Sequence, residues 1–350
     1  MRSSTNKQQG LALITVLFIF ALVSLLAVSM QKRQVSSMTQ AGATFSRTQA
    51  MLLAISAEDI AKAFLKLDAD RDANDGKWDT AVELWNNPVT TELSGAEVFI
   101  NIRDLQGLFN LNSLAPKKSV DDAERARTRF ERLLSNLTLP TEASASDIAT
   151  EAKGWFDSNS SNSSNYQNLT PPYSSSNSAF SHPSELMLLE SVNRETYLAI
   201  EPYVTALPFD TPLNINTTHE YILQAWDAQL ELADAKAVVG EVRAGSCGPE
   251  VRADHVFKEV TDFLNNDHIT KLADKTTNPN NNWDEQKFIV SSQYFSVFTQ
   301  IKIKNDSGNA ELILESIIKR DMDDNFIGVV YRDFSRKIED ITTRLKIISC

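Results

Sequence analysis

Residues 11–30 form an uninterrupted apolar segment without a single charged side chain. A helix of twenty residues rises about 30 Å, enough to cross the hydrocarbon core of a bilayer. Arg2 and Lys7 precede the segment, and Lys32 and Arg33 follow it. The segment therefore predicts one membrane-spanning helix near the N-terminus. Because the bulk of the chain is acidic, we expect the long C-terminal part to be exported.

Two ordinary interpretations of this segment stay open on pattern alone. Ala27, Val28 and Ser29 place small residues at the spacing that a signal peptidase accepts, so the segment could be a cleaved signal peptide. Its apolar run is longer than the ~7 to 15 residues of a usual signal core, which favours retention in the mature protein. An uncleaved anchor is the second interpretation, since the flanking charges do not decide orientation.

The helix can continue outwards, because no proline precedes Pro88 and Gly42 is the only glycine among residues 11–75. A helix over residues 11–67 would be about 85 Å long. Apolar residues in its outer half recur at helical spacing and predict a stripe packed on a globular head. They are Met51, Leu52, Ile55, Ala57, Ile60, Ala61, Phe64 and Leu65. The acidic run at 68–76 is expected to end the helix as a solvated terminus, with a weak cation site as the alternative.

Composition places limits on function. The chain has 350 residues, 42% hydrophobic and 23% charged, which is ordinary for a globular protein and allows two modest cores. Its formal net charge of −12 argues against a nucleic-acid partner, because phosphate contacts require clustered Lys and Arg. Cys247 and Cys350 could form a disulfide in an exported protein, which their spacing alone does not decide.

The motifs of common enzyme classes are missing from the sequence. The four histidines form no His-Glu-x-x-His pair, and the two cysteines form no Cys-x-x-Cys. There is no Gly-x-Ser-x-Gly elbow and no phosphate-binding Gly-Lys-Ser/Thr loop. Ser29 and Lys32 form a Ser-x-x-Lys at the exit of the apolar helix without accompanying motifs. We therefore predict no catalytic residues and no enzymatic activity.

Runs of β-branched and aromatic residues predict strands at 96–103, 288–303, 310–320 and 326–334. Turn-forming residues separate the last three, which predicts an antiparallel meander that joins the first strand in one sheet. The helical patterns before them then form an insertion between strands. The predicted fold class is α+β, with a long N-terminal transmembrane helix packed on an antiparallel sheet and a large inserted all-α domain.

Two similar phrases, Asn110-Leu111-Asn112-Ser113 and Asn214-Ile215-Asn216-Thr217, each precede a helical pattern. Asn, Ser and Thr cap helix N-termini, so the phrases predict two related helical halves that each begin with a cap. The second phrase is similar to the helix-hairpin-helix element of DNA-binding competence proteins. The residues after it are acidic and repel DNA, which favours a packing role. These acidic residues are Glu220, Asp227, Glu231 and Asp234.

The boundary between Gly10 and Leu11 resembles a type IV prepilin cleavage site. In that family the leader is removed after the glycine, and the apolar helix stays in the mature protein. The resemblance implies cleavage by a prepilin peptidase and N-methylation of Leu11. It departs at the fifth mature position, where pilins and most pseudopilins carry Glu and this chain has Thr15. The pseudopilin family that lacks this Glu is general secretion pathway protein K. The lack of the Glu suits a subunit at the tip.

The segment at 154–208 is also similar to that family. The residues that match it in order are Trp155, Asp157, Pro171, Pro172, Tyr173, Ser184, Glu185, Leu186, Pro202, Tyr203 and Val204. The resemblance implies a minor pseudopilin at the tip of the type II secretion pseudopilus, which initiates its assembly and contributes to protein secretion across the outer membrane. It implies a single-pass inner-membrane protein with its C-terminal domain in the periplasm. The implied partners are the I-type and J-type minor pseudopilins, the major pseudopilin and prepilin peptidase.

The predicted domains follow from this resemblance and from the patterns above. They are a leader (1–10), a transmembrane helix (11–30), a pilin spine helix with the first strands (31–104), a helical insertion in two related halves (105–275) and the C-terminal strands of a pilin-like head (276–350). A minor pilin of a DNA-uptake or type IV pilus system, or a simply anchored periplasmic binding protein, stays an alternative.

The resemblance also implies a calcium site, since family members bind calcium in the inserted helical domain. Asp157 and Asn159 are the candidate ligands because they alternate as oxygen ligands do. Between Ser158 and Thr170 there is no carboxylate, so a site there would be weak. A flexible Ser/Asn-rich surface loop is the alternative.

Overall fold

A computed structural model describes residues 8–75, 78–80, 83–116, 120–157, 166–246, 256–274, 283–305, 308–321 and 326–334. Helix α1 (Gln8–Asp75) is continuous over 68 residues, which corresponds to about 100 Å. The prediction that the acidic run at 68–76 ends the helix at residue 67 is wrong, because most of that run forms its last turns. Asp68 forms an ion pair with Arg320 at 2.9 Å, and this tertiary contact stabilises the last turns of the helix.

Five antiparallel strands form the sheet beside α1, in the order β1-β2-β7-β8-β9. Their bounds are β1 (Val89–Leu93), β2 (Ala96–Asp104), β7 (Tyr294–Asn305), β8 (Gly308–Asp321) and β9 (Phe326–Asp333). The predicted meander and its pairing with the strand near Ala96 are confirmed, with Ile100 opposite Thr299. Strand β1 escaped prediction because its three central side chains are exposed and polar. Ser94 and Gly95, both at positive φ, close its hairpin with β2.

Small residues bring α1 onto the sheet. Ala50, Ala54, Ala57 and Ala61 are completely buried, and side chains without bulk let the helix backbone approach the strands closely. The alternating burial of β2 presents its apolar face to them. The predicted stripe on α1 is therefore only partly right. Of its members, Ala57, Ala61 and Leu65 are buried, whereas Met51, Leu52, Ile60 and Phe64 are exposed.

Residues 105–293 lie between β2 and β7, which are hydrogen-bonded neighbours, and build a second hydrophobic core. The helices of this insertion are α2 (Val120–Asn136), α3 (Ala145–Gly154), α4 (Arg194–Ile200), α5 (Glu220–Trp226), α6 (Leu232–Ser246), α7 (Val260–Leu264) and α8 (Thr270–Ala273). The predicted boundary at 276 falls outside the described residues, and the described sheet resumes at Tyr294.

The insertion is not wholly helical, which corrects the all-α prediction. Strand β3 (Phe109–Asn110) pairs in parallel with β4 (Val204–Thr205), and β5 (Leu213–Asn214) pairs in parallel with β6 (Phe288–Ile289). Each pair joins the start of one half to its end. Two-residue strands carry no pattern that a sequence can show, because strand periodicity needs about 4 to 8 residues.

The two Asn-x-Asn phrases make matching hydrogen bonds. Asn112 Oδ1 accepts from the backbone N–H of Phe180 at 2.7 Å, and its Nδ2 donates to the carbonyl of Phe180 at 3.0 Å. Asn216 makes the same pair of bonds with Phe257, at 3.1 and 2.9 Å. Both asparagines are buried. Equivalent side chains therefore clamp an equivalent Phe backbone in each half.

The segments after these two phenylalanines also match. His182 lies two residues after Phe180, and its backbone N–H donates to Glu185 at 3.3 Å. Glu259 lies two residues after Phe257, and its backbone N–H donates to Asp262 at 3.1 Å. Both are reciprocal capping boxes at the start of a helical segment. The shared pattern supports the interpretation of the insertion as two related halves.

The cap prediction for the phrases is right for one of them. Asn110 caps the 3-10 helix Leu111–Leu114 by accepting from Asn112 N–H at 3.1 Å. In the second phrase, Asn214 lies in β5, and the following helix α5 is capped by His219 instead. Asn214 is completely buried, and a polar network at the base of the head uses its amide.

Candidate functional site

The first half of α1 is an exposed apolar rod. Side chains from Ala12 to Ala41 are exposed, with Phe20 71% and Leu25 72% accessible. The helix is long and apolar enough to cross a membrane, a property that a signal sequence near an N-terminus shares. A soluble domain does not leave so large an apolar surface in water. The natural surroundings of this surface are lipid and other apolar helices.

Two hydroxyl groups within this rod donate hydrogen bonds to carbonyls of the same helix. Thr15 Oγ donates to the carbonyl of Ala12 at 2.9 Å, and Ser29 Oγ donates to that of Leu26 at 2.8 Å. A hydroxyl bonded to the preceding turn brings no unpaired donor into the bilayer. The fifth position after Gly10 therefore carries a neutral, internally bonded side chain. Cleavage after Gly10 and methylation of Leu11 stay predictions.

A second exposed face of α1 runs alongside the head. We define the outer stripe as Met38, Phe45, Leu52, Ile60 and Leu67, which recur at seven- or eight-residue spacing and so share one face. Phe45 is 67% and Leu52 is 61% exposed, although both lie on the part of α1 that approaches or packs on the sheet. One side of this helix binds its own head, and another side is free to pack on a neighbouring helix.

A buried carboxylate fixes α1 against the sheet at its middle. Glu58 is completely buried, and Arg332 donates to it from Nε at 2.8 Å and from Nη2 at 2.7 Å. Ser316 Oγ donates a third bond at 2.6 Å. Burial acts to raise the pKa of Glu58, but the bonds from Arg332 and Ser316 hold it below its ordinary value. The carboxylate therefore stays charged and determines how α1 is placed along the strands.

The far end of α1 is held by Arg320, which is only 1% exposed. Its Nη1 donates to Asp68 at 2.9 Å, and its Nη2 donates to both carboxylate oxygens of Asp79 at 2.5 Å. Nη2 also donates to the carbonyl of Ser292 at 3.1 Å. One guanidinium on β8 thus connects the end of α1, the segment at 78–80 and the approach to β7.

Asp104, at the end of β2, extends this network into the insertion. Its carboxylate accepts from Gln106 N–H at 2.7 Å, Asn214 Nδ2 at 3.1 Å, Thr217 Oγ at 2.5 Å and Ser292 Oγ at 2.7 Å. We call this buried network the polar joint. It consists of Asp68, Asp79, Asp104, Asn214, Thr217, Ser292 and Arg320. Through it, the sheet, α1 and the second half of the insertion share hydrogen bonds.

Burial raises the pKa of Asp104 to about 6. The hydrogen bonds from Thr217 and Ser292 oppose that rise, and the negative charge of Asp79 adds to it. The folded protein therefore holds a proton on Asp104 at a pH where the unfolded chain, with a pKa near its ordinary value of 3.8, has released it.

This difference predicts a pH effect on stability. Between pH about 4 and about 6, the free energy of unfolding contributed by Asp104 should fall as the pH rises, by at most roughly 3 kcal/mol. The measurement is urea unfolding of the wild type and of Asp104→Asn over this range. The stability difference, wild type minus variant, should decrease with pH and then level off above about 6. A pH-independent difference would contradict the proposed protonation.

Comparison with known proteins identifies the family. A family model described as Type II secretion system (T2SS), protein K, matches residues 107–209, the first half of the insertion. Type II secretion system protein K from Pectobacterium carotovorum is 30% identical over 253 residues, which cover 67% of this chain and 75% of that protein. This chain belongs to the type II secretion system protein K family. The Pseudomonas aeruginosa member is 28% identical over 341 residues, covering 94% of this chain and 93% of that protein.

A solved structure shows the fold of this family. The chain matches one chain in the crystal structure of the GspK-GspI-GspJ complex from the type 2 secretion system of enterotoxigenic Escherichia coli. The TM-score is 0.65 at 22% identity, and the match covers 83% of this chain and 97% of that chain. The predicted α+β fold class is confirmed. The family consists of minor pseudopilins of a secretion system and is not a known enzyme family. In this chain, the apolar first half of α1 is the membrane anchor.

The predicted calcium site lies only partly within the described residues. Asp157 is exposed, and its backbone N–H donates to the carbonyl of Gly154 at 3.0 Å. Asn159, Cys247 and Cys350 lie outside the described residues, so the calcium ligands and the disulfide stay predictions.

One group of carboxylates in the described part of the chain lies close enough for a metal, namely Asp68, Asp79 and Glu83. Arg320 already donates to the first two. Glu83 accepts from Thr80 N–H at 3.0 Å and from Trp85 Nε1 at 2.5 Å. Because a guanidinium supplies the positive charge there, these residues do not fit a calcium ion, which needs several free oxygens.

Sequence reasoning did not find the polar joint. Asp79, Ser292 and Arg320 are far apart in the chain and belong to no motif. A usable signal was present at Asp104 and Arg320. Asp104 follows Ile102 and Arg320 follows Ile318 at two-residue spacing, so each charge falls on the apolar, alternate face of its strand. Charged residues are rarely fully buried without a partner, so a charge at such a position predicts a buried pair.

Proposed function

We propose that this protein is the tip subunit of the pseudopilus, where it initiates assembly and contributes to protein secretion across the outer membrane. The observation that carries the proposal is α1 itself. It exposes an apolar rod at one end and carries, at the other end, a head enlarged by the insertion at 105–293. The rod can pack among equivalent helices, while the enlarged head occupies the space where a further subunit would add.

The side chain at Thr15 supports a terminal position. In the prepilin-type families, Glu at the fifth mature position is thought to pair with the N-terminal amine of a neighbouring subunit. An ion pair of this kind is favoured in a bilayer, where an unpaired charge is costly. Thr15 is neutral, and its hydroxyl is bonded to Ala12 within the same helix. It offers no counter-charge to a subunit above, so growth proceeds from below.

The outer stripe supports lateral partners. It leaves large apolar side chains, Phe45 and Leu52 among them, uncovered beside the head. In the enterotoxigenic Escherichia coli complex, GspK is assembled with GspI and GspJ. We propose the corresponding I-type and J-type minor pseudopilins as neighbours of this stripe and the major pseudopilin below them. Prepilin peptidase would process the leader, the anchor would lie in the inner membrane, and the head would face the periplasm.

Replacement of Gly10 tests this proposal. Gly10→Ile should block leader removal, because a bulky side chain replaces the glycine at the proposed cleavage position. Mass spectrometry of the purified chain should give an N-methylated Leu11 in the wild type and an intact leader in the variant. Secretion through the system should be lost in the variant.

Gly42→Ile is the matched control, since Gly42 lies in the same helix and outside the proposed cleavage site. It should leave leader removal unchanged. A wild-type chain that begins after Ser29, or a Gly10→Ile chain that is still processed at Leu11, would refute the proposal.

A further inference from the structure

A groove lies between α2 and the end of α5, in the insertion. It consists of two adjoining cavities of about 400 and 420 Å³ that share Thr128 and Arg132. Arg125, Arg129 and Trp226 line the first cavity, and Asn136 and Gln224 line the second. Helix α2 is about 25 Å long, and the two cavities follow it over most of that length. Both cavities are open to solvent, so a ligand can approach them from the surface.

Arg129 forms the wall of the first cavity and is 7% exposed. Its guanidinium lies 3.7 Å from the ring centroid of Trp226, and its Nε donates to the carbonyl of Trp226 at 3.3 Å. Its Nη2 is buried without a hydrogen-bond partner. In the part of the chain that the structure describes, Arg129 makes no ion pair. Asp122 and Asp227 act on this guanidinium only from beyond ion-pair distance, so the unpaired Nη2 is the observation that indicates an absent acceptor.

Arg132 lies one turn further along α2 and is half-buried. Its Nη1 donates to the carbonyl of Ala225 at 3.3 Å, and it makes no ion pair within the described ranges. A guanidinium has five N–H donors, so most of them are available. Burial, together with the charges of Arg125 and Arg132, lowers the pKa of Arg129 to about 9, and the charges of Asp227 and Asp122 oppose this shift. The mutual repulsion shows that like charges are held together here.

The carboxylates near the groove are engaged elsewhere. Asp122 pairs with Arg125 at 2.5 Å and with Lys287 at 3.7 Å. Glu124, although it lines the first cavity, pairs with Arg127 and with Lys153, both at 2.6 Å. Asp227 accepts from Gln229 N–H at 2.9 Å and Trp283 Nε1 at 3.0 Å. Asp121, which also lines the cavity, lies in the first turn of α2, where the helix dipole favours its charge.

We propose that this groove binds an acidic peptide segment of a protein partner, with Arg129 and Arg132 as the ligands of one of its carboxylates. A planar carboxylate matches the fork of a guanidinium and forms paired, charge-assisted hydrogen bonds with it. Trp226 provides an apolar wall for the rest of the segment. A long polyanion does not fit, because the chain as a whole carries a net charge of −12 and would repel it beyond this small region. The assignment does not depend on the position of the protein in the pseudopilus.

The test uses the full chain in detergent micelles and a short Glu-containing peptide labelled with an uncharged dye. Fluorescence anisotropy at low ionic strength measures binding, and the same peptide with Gln in place of Glu is the control probe. We expect the Glu peptide to bind at least about tenfold more tightly, because charge-assisted bonds to arginine require the carboxylate. Acetate should displace it. Displacement by inorganic phosphate at concentrations where acetate has no effect would overturn the assignment.

Variants locate the site. Arg129→Gln and Arg132→Gln should each weaken binding of the Glu peptide at least about tenfold, since each removes one of the unpaired guanidinium groups. Lys302→Gln is the control, because Lys302 is a partly exposed cation on β7 and does not line either cavity. It should leave binding unchanged. Arg132 is less buried than Arg129, so Arg132→Gln keeps the test decisive if Arg129→Gln melts at a lower temperature. Equal binding of both peptides, or unchanged binding by Arg132→Gln, would overturn the proposal.

Discussion

Arg320→Met is expected to lower the free energy of unfolding of the head by about 3 to 5 kcal/mol, because it leaves a buried carboxylate without its counter-charge. Asp79 is completely buried and receives two bonds from Arg320. The substitution keeps the apolar stem of the side chain and removes the guanidinium, so the effect reports mainly the lost charge and its hydrogen bonds. It also removes the contact with Asp68, and the end of α1 should fray.

Urea unfolding followed by tryptophan fluorescence measures this loss. Trp85 is buried against the ring of Phe295 at a centroid distance of 5.1 Å, and Arg320 lies 4.7 Å from the same ring, so Trp85 reports on this region. Arg127→Met is the control, since it breaks two partly exposed ion pairs, each of which should contribute less than about 1 kcal/mol. An Arg320→Met chain as stable as this control would show that the polar joint contributes little.

Asn112→Ala and Asn216→Ala should each destabilise the insertion by about 2 to 4 kcal/mol, because each leaves a buried backbone N–H and C=O without partners. Asn112 bonds both groups of Phe180, and Asn216 bonds both groups of Phe257. The two halves use the same geometry, so both losses in the free energy of unfolding should lie within this range. Asn112 also donates to the carbonyl of Leu207, which makes its loss the larger one.

Chemical unfolding and amide hydrogen exchange distinguish local from global effects. Asn112→Ala should raise exchange mainly around Phe180, and Asn216→Ala mainly around Phe257. Asn136→Ala is the control, because Asn136 is only partly buried and bonds a side chain, that of Gln224. A loss at Asn112 or Asn216 no greater than in the control would argue against the clamps as the shared structural element of the two halves.

Much of the fold could be predicted because it depends on local patterns. The unbroken apolar run and the lack of proline predict α1, and the β-branched runs predict β2, β7, β8 and β9. These signals reside in neighbouring residues, so they can be interpreted without knowledge of the rest of the chain. The family could be recognised for the same reason, since the Gly10–Leu11 boundary and the segment at 154–208 are continuous in sequence.

The face by which α1 binds its head could not be predicted in the same way. The predicted stripe combined Ala57 and Ala61 with the large residues Met51, Leu52 and Phe64. The structure buries these two alanines, together with Ala50 and Ala54, and leaves the three large side chains exposed. Hydrophobicity alone favours the larger side chains. Close packing of a helix on a sheet is decided by shape, and shape depends on both surfaces.

The sequence by itself determined that this protein has a long membrane-anchoring helix, an antiparallel sheet and an inserted region that begins each half with an Asn-x-Asn phrase. Only the tertiary structure decided which residues hold these parts together. Arg320 and Asp79 are separated by 241 positions, and Asn214 and Asp104 by 110. Buried charges and amides pair across such distances because leaving them unpaired in a low-dielectric interior is costly, and no local pattern records which partner will satisfy them.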